Sequence, residues 1–176
     1  ELKITEFTDY NTPNLALGDK EIDANFFQHV PYMEEFAKAH KLDLVSAGGV
    51  HLEPMGLYSR KIKDLKDLPK GAKIAIPNDP TNGGRALLLL QSAGLIKLKA
   101  DFDPAKGTPS DIIENTKKLD IKPIQMATAV RVKDEVDAIV LGNTLAMEGG
   151  LNVLKDSIFY EPIDQSTKLN VNILAV

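Results

Sequence analysis

Short apolar stretches alternate with amphipathic ones along most of the chain, and this pattern predicts strands that alternate with helices. Strict apolar–polar alternation, or a short continuous apolar run, favours a strand. Apolar residues at three- and four-residue spacing favour a helix, as where Tyr32 and Phe36 share one face. The predicted strands are 2–7, 22–27, 55–58, 73–76, 136–141 and 170–176, and the predicted helices are 13–17, 31–40, 84–93 and 110–115.

This order of elements favours an α/β fold with mostly parallel sheets. Glu21–Ala24 recurs as Glu135–Val136–Asp137–Ala138, each copy opening a strand, and the echo indicates two lobes of similar plan, although a match of four residues also arises by chance. The predicted lobes are residues 1–59 plus 145–176, and 60–144, with a crossover near 60–71 and the last strand returning to the first lobe. A ligand is expected in the cleft between the lobes, outside the carboxyl ends of the strands.

The amino-acid composition and the net charge argue against several classes of function. The 176 residues are 43% hydrophobic and 26% charged, which is ordinary globular usage, and the net charge is −4. A chain without a basic stripe is not expected to bind nucleic acid or an anionic membrane surface. The absence of cysteine excludes disulfides, zinc–thiolate sites and cysteine nucleophiles. The sequence shows no signal peptide, no lipid-attachment cysteine and no apolar run long enough to span a bilayer.

The segment 73–90 carries the most specific pattern, in which a strand leads into a polar, glycine-bearing turn and then an apolar helix. Thr81 or Asn82 is predicted to cap that helix, whose free N–H groups and positive dipole end favour an anion. Arg85 is predicted in the first turn, where its guanidinium would grip a carboxylate at two points. The turn is neither a Walker loop nor a Gly-x-Gly-x-x-Gly motif. The alternative is an ordinary capped helix with a surface arginine.

A second candidate stretch, 25–32, clusters aromatic residues and a histidine between a strand and a helix. Phe26, Phe27, His29 and Tyr32 would suit a partly apolar pocket that contacts a thioether sulfur. The alternative is that the two phenylalanines are core and that His29 caps the next helix. Four more candidates lie near predicted strand ends, each with a purely structural alternative: Tyr10, His51, Asn143 and Asn170.

The sequence gives little support to an enzymatic function or a metal site. No Gly-x-Ser-x-Gly or His-Glu-x-x-His signature is present, and the chain has three histidines. A metal site built from His29, His51 and Glu53 is conceivable but has no ligand-like spacing. Asp23 and Asp137 open matching strands, which favours a structural role over acid–base catalysis. A small hydrolase or transferase that uses His29 or His51 remains an alternative.

Three stretches, 21–29, 51–59 and 76–90, strongly resemble the NlpA/MetQ-type methionine-binding lipoproteins, and the resemblance extends along nearly the whole chain. It implies a two-lobed periplasmic-binding-protein fold of type II, without a cofactor and without enzymatic activity. It implies a lipid anchor outside this chain, at the outer face of the bacterial cytoplasmic membrane or in the periplasm. It also implies delivery of L-methionine, D-methionine or a methionine-containing dipeptide to the permease and ATPase of an ABC importer.

The resemblance also assigns roles to single residues. The side-chain pocket would comprise Tyr10, Phe27, His29 and Tyr32 with His51 at its rim, Arg85 would bind the ligand carboxylate, and Asn143 and Asn170 would hold the head group. Two departures stand out: a strand–helix unit that usually precedes Leu2 is missing, and Leu145 stands near a position where the family often has tyrosine. A surface lipoprotein that acts in adhesion or signalling, with a vestigial pocket, is the remaining alternative.

Overall fold

The computed structural model describes residues 1–132 and 134–176, with the backbone alone described at 127, 130, 165 and 166. Its strands are β1 (Asn25–His29), β2 (Ser46–Leu52), β3 (Met55–Tyr58), β4 (Lys73–Pro77), β5 (Lys97–Leu98), β6 (Ile112–Glu114), β7 (Asp120–Ile124), β8 (Ala138–Gly142), β9 (Ser157–Tyr160) and β10 (Val171–Ala175). Its α-helices are α1 (Thr12–Gly18), α2 (Val30–His40), α3 (Pro80–Ser92), α4 (Ala129–Val132), α5 (Asn143–Glu148) and α6 (Val153–Asp156).

The described residues form two compact units, which we call unit 1 (1–52 and 168–176) and unit 2 (53–167). These limits differ from the predicted lobe limits at 59/60 and 144/145. The reason is strand pairing, because β3 pairs with both β8 and β9 and thereby places the segments on either side of 60–144 in unit 2. The last strand, β10, lies in unit 1, where the sequence had assigned it.

Unit 1 contains a three-stranded antiparallel sheet in the order β1–β10–β2. Helices α1 and α2 pack on this sheet, and its small core joins Leu17, Met33, Ile173 and Ala175. Helix α2 begins after His29, whose imidazole Nδ1 accepts a hydrogen bond from the backbone N–H of Tyr32 at 3.2 Å. The imidazole therefore satisfies one of the N–H groups that every helix start leaves unpaired.

Three buried amide side chains join α1 to β1 in unit 1. Asn14 donates to Gln28 Oε1 at 2.8 Å and accepts from Gln28 Nε2 at 2.6 Å and from Asn25 Nδ2 at 2.9 Å. Asn14 is fully buried, so its amide depends on these partners for its hydrogen bonds. The cluster fixes the position of the strand that carries Phe27 and His29.

Unit 2 is built on a five-stranded mixed sheet in the order β7–β4–β8–β3–β9. Strand β4 runs parallel to β7 and β8, whereas β3 runs antiparallel to β8 and β9. Helix α3 packs on the sheet through residues that include Leu87 and Leu90, both fully buried. Within the described residues most strand pairs are antiparallel, so the prediction of mostly parallel sheets is wrong. The order of strands and helices in a sequence does not fix strand direction.

Two predicted elements are absent from the described chain. Residues 1–7 form no strand, and Leu2 and Ile4 are largely exposed, because an alternating segment becomes a strand only where a neighbour pairs with it. The predicted helix at 110–115 is instead a 3₁₀ turn, Pro109–Asp111, followed by β6. The β-branched pair Ile112 and Ile113 favours this strand over a helix. Among the described residues no helix combines the length and the apolar character needed to cross a membrane.

Candidate functional site

Four of the predicted ligand-binding residues lie together in unit 1, and we call them the aromatic cluster: Tyr10, Phe27, His29 and Tyr32. Tyr32 is at its centre, with ring centroids 6.3 Å from Tyr10, 5.9 Å from Phe27 and 6.4 Å from His29. Edge-to-face rings at these separations attract each other through their quadrupoles. Tyr32 and His29 are buried, whereas Tyr10 and Phe27 are half-buried.

The polar atoms of the aromatic cluster also hold it together. The Tyr32 hydroxyl donates to the backbone carbonyl of Tyr10 at 2.9 Å, which joins the segment before α1 to α2. His29 Nδ1 acts as the cap acceptor of α2, so its neutral ring carries the proton on Nε2. The structural interpretation of His29 as a helix cap is therefore confirmed. The same ring also packs against Tyr32 in the aromatic cluster.

His51 and Asn170 lie elsewhere in unit 1. The His51 ring, near the end of β2, is exposed and packs edge-on against Phe26 at 5.6 Å. Phe26 is 49% exposed and Phe27 half-buried, because a β-bulge between Phe26 and Gln28 interrupts the regular alternation of β1. Asn170 is half-buried and ends the 3₁₀ turn Gln165–Asn170 that leads into β10. Among the described residues, the ring packed against His51 is that of Phe26, which is not a member of the aromatic cluster.

Helix α3 of unit 2 begins earlier than predicted and has a different cap. The side chain of Asp79 accepts from the backbone N–H of Asn82 at 2.9 Å, and Pro80 occupies the first turn. The prediction of Thr81 or Asn82 as the cap is thus wrong. Because the helix starts at Pro80, Arg85 lies in its second turn and not in its first.

Arg85 forms a buried ion pair with Glu161 at the end of β9. Its Nε donates to Glu161 Oε1 at 2.7 Å, and its Nη2 donates to Glu161 Oε2 at 2.5 Å. Nη2 also donates to the backbone carbonyl of Glu53 at 2.7 Å. Arg85 is 8% exposed and Glu161 7%, so the alternative of a surface arginine is wrong. A two-point pair of this kind fixes both the plane and the direction of the guanidinium.

Glu53 extends this network toward Asn143. Its side-chain oxygen Oε1 accepts a hydrogen bond from the backbone N–H of Thr144, in the first turn of α5. Asn143 begins the same helix and is half-buried, with its amide nitrogen 3.3 Å from the Met147 sulfur. The backbone carbonyl of Glu53 therefore binds Arg85 directly, and its side chain binds the backbone amide of Thr144, the residue after Asn143.

Asp137, which the acid–base alternative names, is held by neighbouring groups in unit 2. No group of three or more His, Cys, Asp or Glu side chains in the described residues is arranged to hold a metal ion. The Asp137 carboxylate is held by Lys61 Nζ and by the backbone N–H of Lys73, both at 2.8 Å. The hydrogen bond from Lys61, followed by that from Lys73, lowers the pKa of Asp137. These contacts are those of a structural carboxylate.

The chain matches known proteins in both sequence and fold. The family model of the NlpA lipoproteins matches residues 1–176, the whole chain. The chain belongs to the NlpA lipoprotein family. Its mixed α/β fold matches that of an ABC-transporter periplasmic substrate-binding protein from Coxiella burnetii, with a TM-score of 0.92 and 42% identity over 99% of this chain and 72% of that one.

Two other relatives of this NlpA-family chain are described in terms of methionine. A nutrient-binding protein from Burkholderia cenocepacia, solved bound to methionine, is 46% identical, with a TM-score of 0.94, over 99% of this chain and 72% of that one. The methionine-binding lipoprotein MetQ of Bacillus subtilis is 42% identical over 99% of this chain and 64% of its own length. The chain spans about 60% of the length of the curated relatives it matches.

Two residues of this NlpA-family protein that organise unit 2 are not indicated as such by the sequence. No pattern distinguishes Glu161, and the sequence suggests Glu53 only as a metal ligand. Their partners are distant in sequence, since Arg85 and Glu161 are 76 residues apart. The one available signal was indirect, because an arginine on an otherwise apolar helix needs a buried anion nearby.

Proposed function

We propose that this NlpA-family protein is a substrate-binding protein that holds methionine, or a close relative of methionine, without covalent chemistry. The observation that carries the proposal is the match over 99% of the chain to a structure bound to methionine. Substrate class often differs between proteins that share only a fold. Here the identity is 46%, and the side chains described above suit an amino acid with an apolar, sulfur-bearing side chain.

The aromatic cluster is proposed to contact the side chain of the ligand. Sulfur interacts favourably with aromatic ring edges at about 5 Å, and the half-buried rings of Tyr10 and Phe27 are proposed to offer such edges, with the buried Tyr32 ring packed against both. Because Tyr32 is fixed by its hydrogen bond to the Tyr10 carbonyl, the contact surface is ordered before the ligand binds. Preordered contacts reduce the entropy that binding costs.

Arg85 is proposed to bind the ligand carboxylate. A guanidinium has five N–H donors, and Glu161 and the Glu53 carbonyl engage those on Nε and Nη2. Nη1 makes no hydrogen bond to the described residues, so its two N–H groups are the donors proposed for the carboxylate. Asn143 and Asn170 are proposed to hold the rest of the head group, and His51 to lie at the rim.

The finer physiological roles are also proposals. The relatives are described as lipoproteins and as a transporter's binding protein. We propose that a lipid anchor outside this chain holds the protein at the outer face of the cytoplasmic membrane. From there it would deliver methionine to the permease and ATPase of an ABC importer. No reaction is proposed, and the ligand is released unchanged.

Ligand titration tests the proposal. Protein freed of ligand by unfolding and refolding is followed by thermal unfolding with L-methionine, D-methionine, Gly-Met, leucine, glutamine and zinc chloride. A methionine compound at 100 times its Kd is expected to add about 2.7 kcal/mol of stability. Leucine, glutamine and zinc serve as controls and are expected to add much less. Equal stabilisation by leucine, or none by any methionine compound, would contradict the proposed function and favour a role in adhesion or signalling.

A further inference from the structure

We infer that Glu161 is a positioning residue for recognition of the ligand carboxylate, and that it acts by orienting Arg85. The inference rests on the proposed function, because it takes Arg85 to be the carboxylate-binding group. It goes further by assigning a role to an acidic residue that would itself repel the ligand carboxylate. The role follows from how Glu161 is held and from which edge of the guanidinium it occupies.

Glu161 is fixed to the sheet of unit 2 by two hydrogen bonds with Met55. The backbone N–H of Glu161 donates to the Met55 carbonyl at 2.9 Å, and the Met55 N–H donates to Glu161 Oε2 at 2.8 Å. Met55 opens β3 and is 2% exposed. The carboxylate is therefore attached to a buried strand and not to a mobile loop.

The fixed carboxylate decides where the guanidinium points. Glu161 occupies the Nε–Nη2 edge of Arg85, so the other edge, with Nη1, faces away from Glu161. An arginine side chain has about 2 kcal/mol of rotamer entropy, which a ligand would otherwise have to reduce on binding. With Glu161 in place most of that freedom is lost during folding. The ligand then meets a donor pair that is already oriented.

The ion pair also sets the local charge. Arg85 and Glu161 together are formally neutral, so the pair does not attract anions in general. A ligand carboxylate is bound through directed hydrogen bonds from one edge of the guanidinium, which favours a correctly placed amino acid over a free inorganic anion. Removing the negative charge at 161 would free the guanidinium to reorient, while leaving its own positive charge in place.

The test compares methionine with methioninol, which has the same side chain and amine but no carboxylate. In wild type, binding of methionine tests the proposed function by itself. For Glu161→Gln we expect a loss of about tenfold in methionine affinity, the scale of one hydrogen bond to a charged group. Methioninol affinity is expected to change less than twofold. The methionine-to-methioninol affinity ratio should therefore fall about tenfold.

Asp137→Asn is the matched control, because Asp137 also binds a cation and a backbone N–H within unit 2. It is expected to leave the affinity ratio unchanged. Loss of both ligands by the same factor in Glu161→Gln, or no loss of either, would overturn the inference. If Glu161→Gln does not fold, Glu161→Asp decides, since a carboxylate withdrawn by one methylene should also lower the ratio, and an unchanged ratio would overturn the inference.

Discussion

Asp137 and Lys73 exchange two hydrogen bonds at the start of β8 and β4, although 64 residues separate them. The backbone N–H of Asp137 donates to the Lys73 carbonyl at 2.8 Å, and the Lys73 N–H donates to Asp137 Oδ2 at 2.8 Å. The second carboxylate oxygen accepts from Lys61 Nζ. Asp137 thus joins the ends of the parallel strands β4 and β8, and its negatively charged carboxylate accepts two of the hydrogen bonds that hold it there.

Acidification should weaken the hydrogen bonds of the Asp137 carboxylate. The pKa of Asp137 lies below its ordinary value of 3.8, chiefly because of the Lys61 hydrogen bond. A depressed folded-state pKa stabilises the protein above the unfolded pKa, and the contribution is lost as the pH falls through the folded-state pKa. In Asp137→Asn the stability difference between pH 7 and pH 3 should shrink by about 0.5–1 kcal/mol, as expected for a solvent-screened group. Urea unfolding at both pH values measures it, and an unchanged difference would contradict the assignment.

Tyr58 carries a buried hydroxyl that has no hydrogen-bond partner among the described residues. The side chain is 2% exposed, and burial, with the nearby charge of Asp156, raises the pKa of Tyr58 to about 12. Tyr58→Phe should therefore increase the free energy of unfolding, by about 1 kcal/mol, since an unsatisfied buried group is removed.

Tyr32→Phe is the control for Tyr58→Phe, because the Tyr32 hydroxyl donates to the Tyr10 carbonyl. It should decrease the free energy of unfolding by about 1 kcal/mol. Chemical denaturation of both variants gives the comparison. A Tyr58→Phe protein that is less stable than wild type would show that the hydroxyl is bonded after all.

Gly84 allows a close approach between α3 and the segment that follows β5. A Cβ atom at this position would lie 2.0 Å from the backbone carbonyl oxygen of Pro104. Gly84→Ala should destabilise unit 2 by about 1–3 kcal/mol, because backbone must shift to admit the methyl group. Gly83→Ala, in the same helix turn, places its Cβ 3.0 Å from the Pro77 carbonyl and should cost less. Equal stabilities of the two variants in thermal unfolding would contradict the predicted clash.

Breaking the Arg85–Glu161 pair should affect folding as well as binding. Arg85→Met leaves a buried carboxylate unpaired and should reduce the free energy of unfolding by about 3–5 kcal/mol. The double variant Arg85→Met/Glu161→Leu removes both charges and should be more stable than Arg85→Met alone. Denaturant unfolding of the single and double variants gives the coupling free energy, and additive losses would argue against the pair.

Binding should respond separately to Arg85. If Arg85 binds the ligand carboxylate as proposed, loss of the guanidinium leaves that carboxylate underpaired and should reduce methionine affinity by about 2–5 kcal/mol. The more stable double variant is the suitable protein for this titration, since it separates affinity from folding. Methionine binding of wild-type strength in that variant would exclude Arg85 as the carboxylate-binding group.

The sequence predicted those elements whose pattern is dictated by burial. The pattern predicts β3 at its observed limits and α2 within one residue of its observed start, because buried faces impose apolar periodicity. The segment 1–7 has the same alternation without a strand partner, and periodicity alone cannot report the partner. The gathering of Tyr10, Phe27, His29 and Tyr32 was accessible through the family resemblance.

The pairing of Arg85 with Glu161 was not accessible from the sequence. The pairing depends on the register of β9 against β3, in which Gly56 lies opposite Tyr160. The hydrophobic pattern of one sequence does not reveal which residues of two strands lie opposite each other. The cap of α3 shows a related limit. Asp79, Thr81 and Asn82 are all capable cap residues, and only the backbone geometry selects Asp79.

Strand β10 lies between β1 and β2, which do not pair with each other. Unit 2 is continuous in sequence, whereas the unit 1 sheet needs residues from both ends of the chain. During synthesis from the amino to the carboxyl terminus, β1 and β2 emerge before β10, the strand that pairs with both of them. The β1–β10–β2 pairing therefore forms only after β10 is made, and a chain arrested before residue 171 would leave the β10-facing edges of β1 and β2 exposed to aggregation.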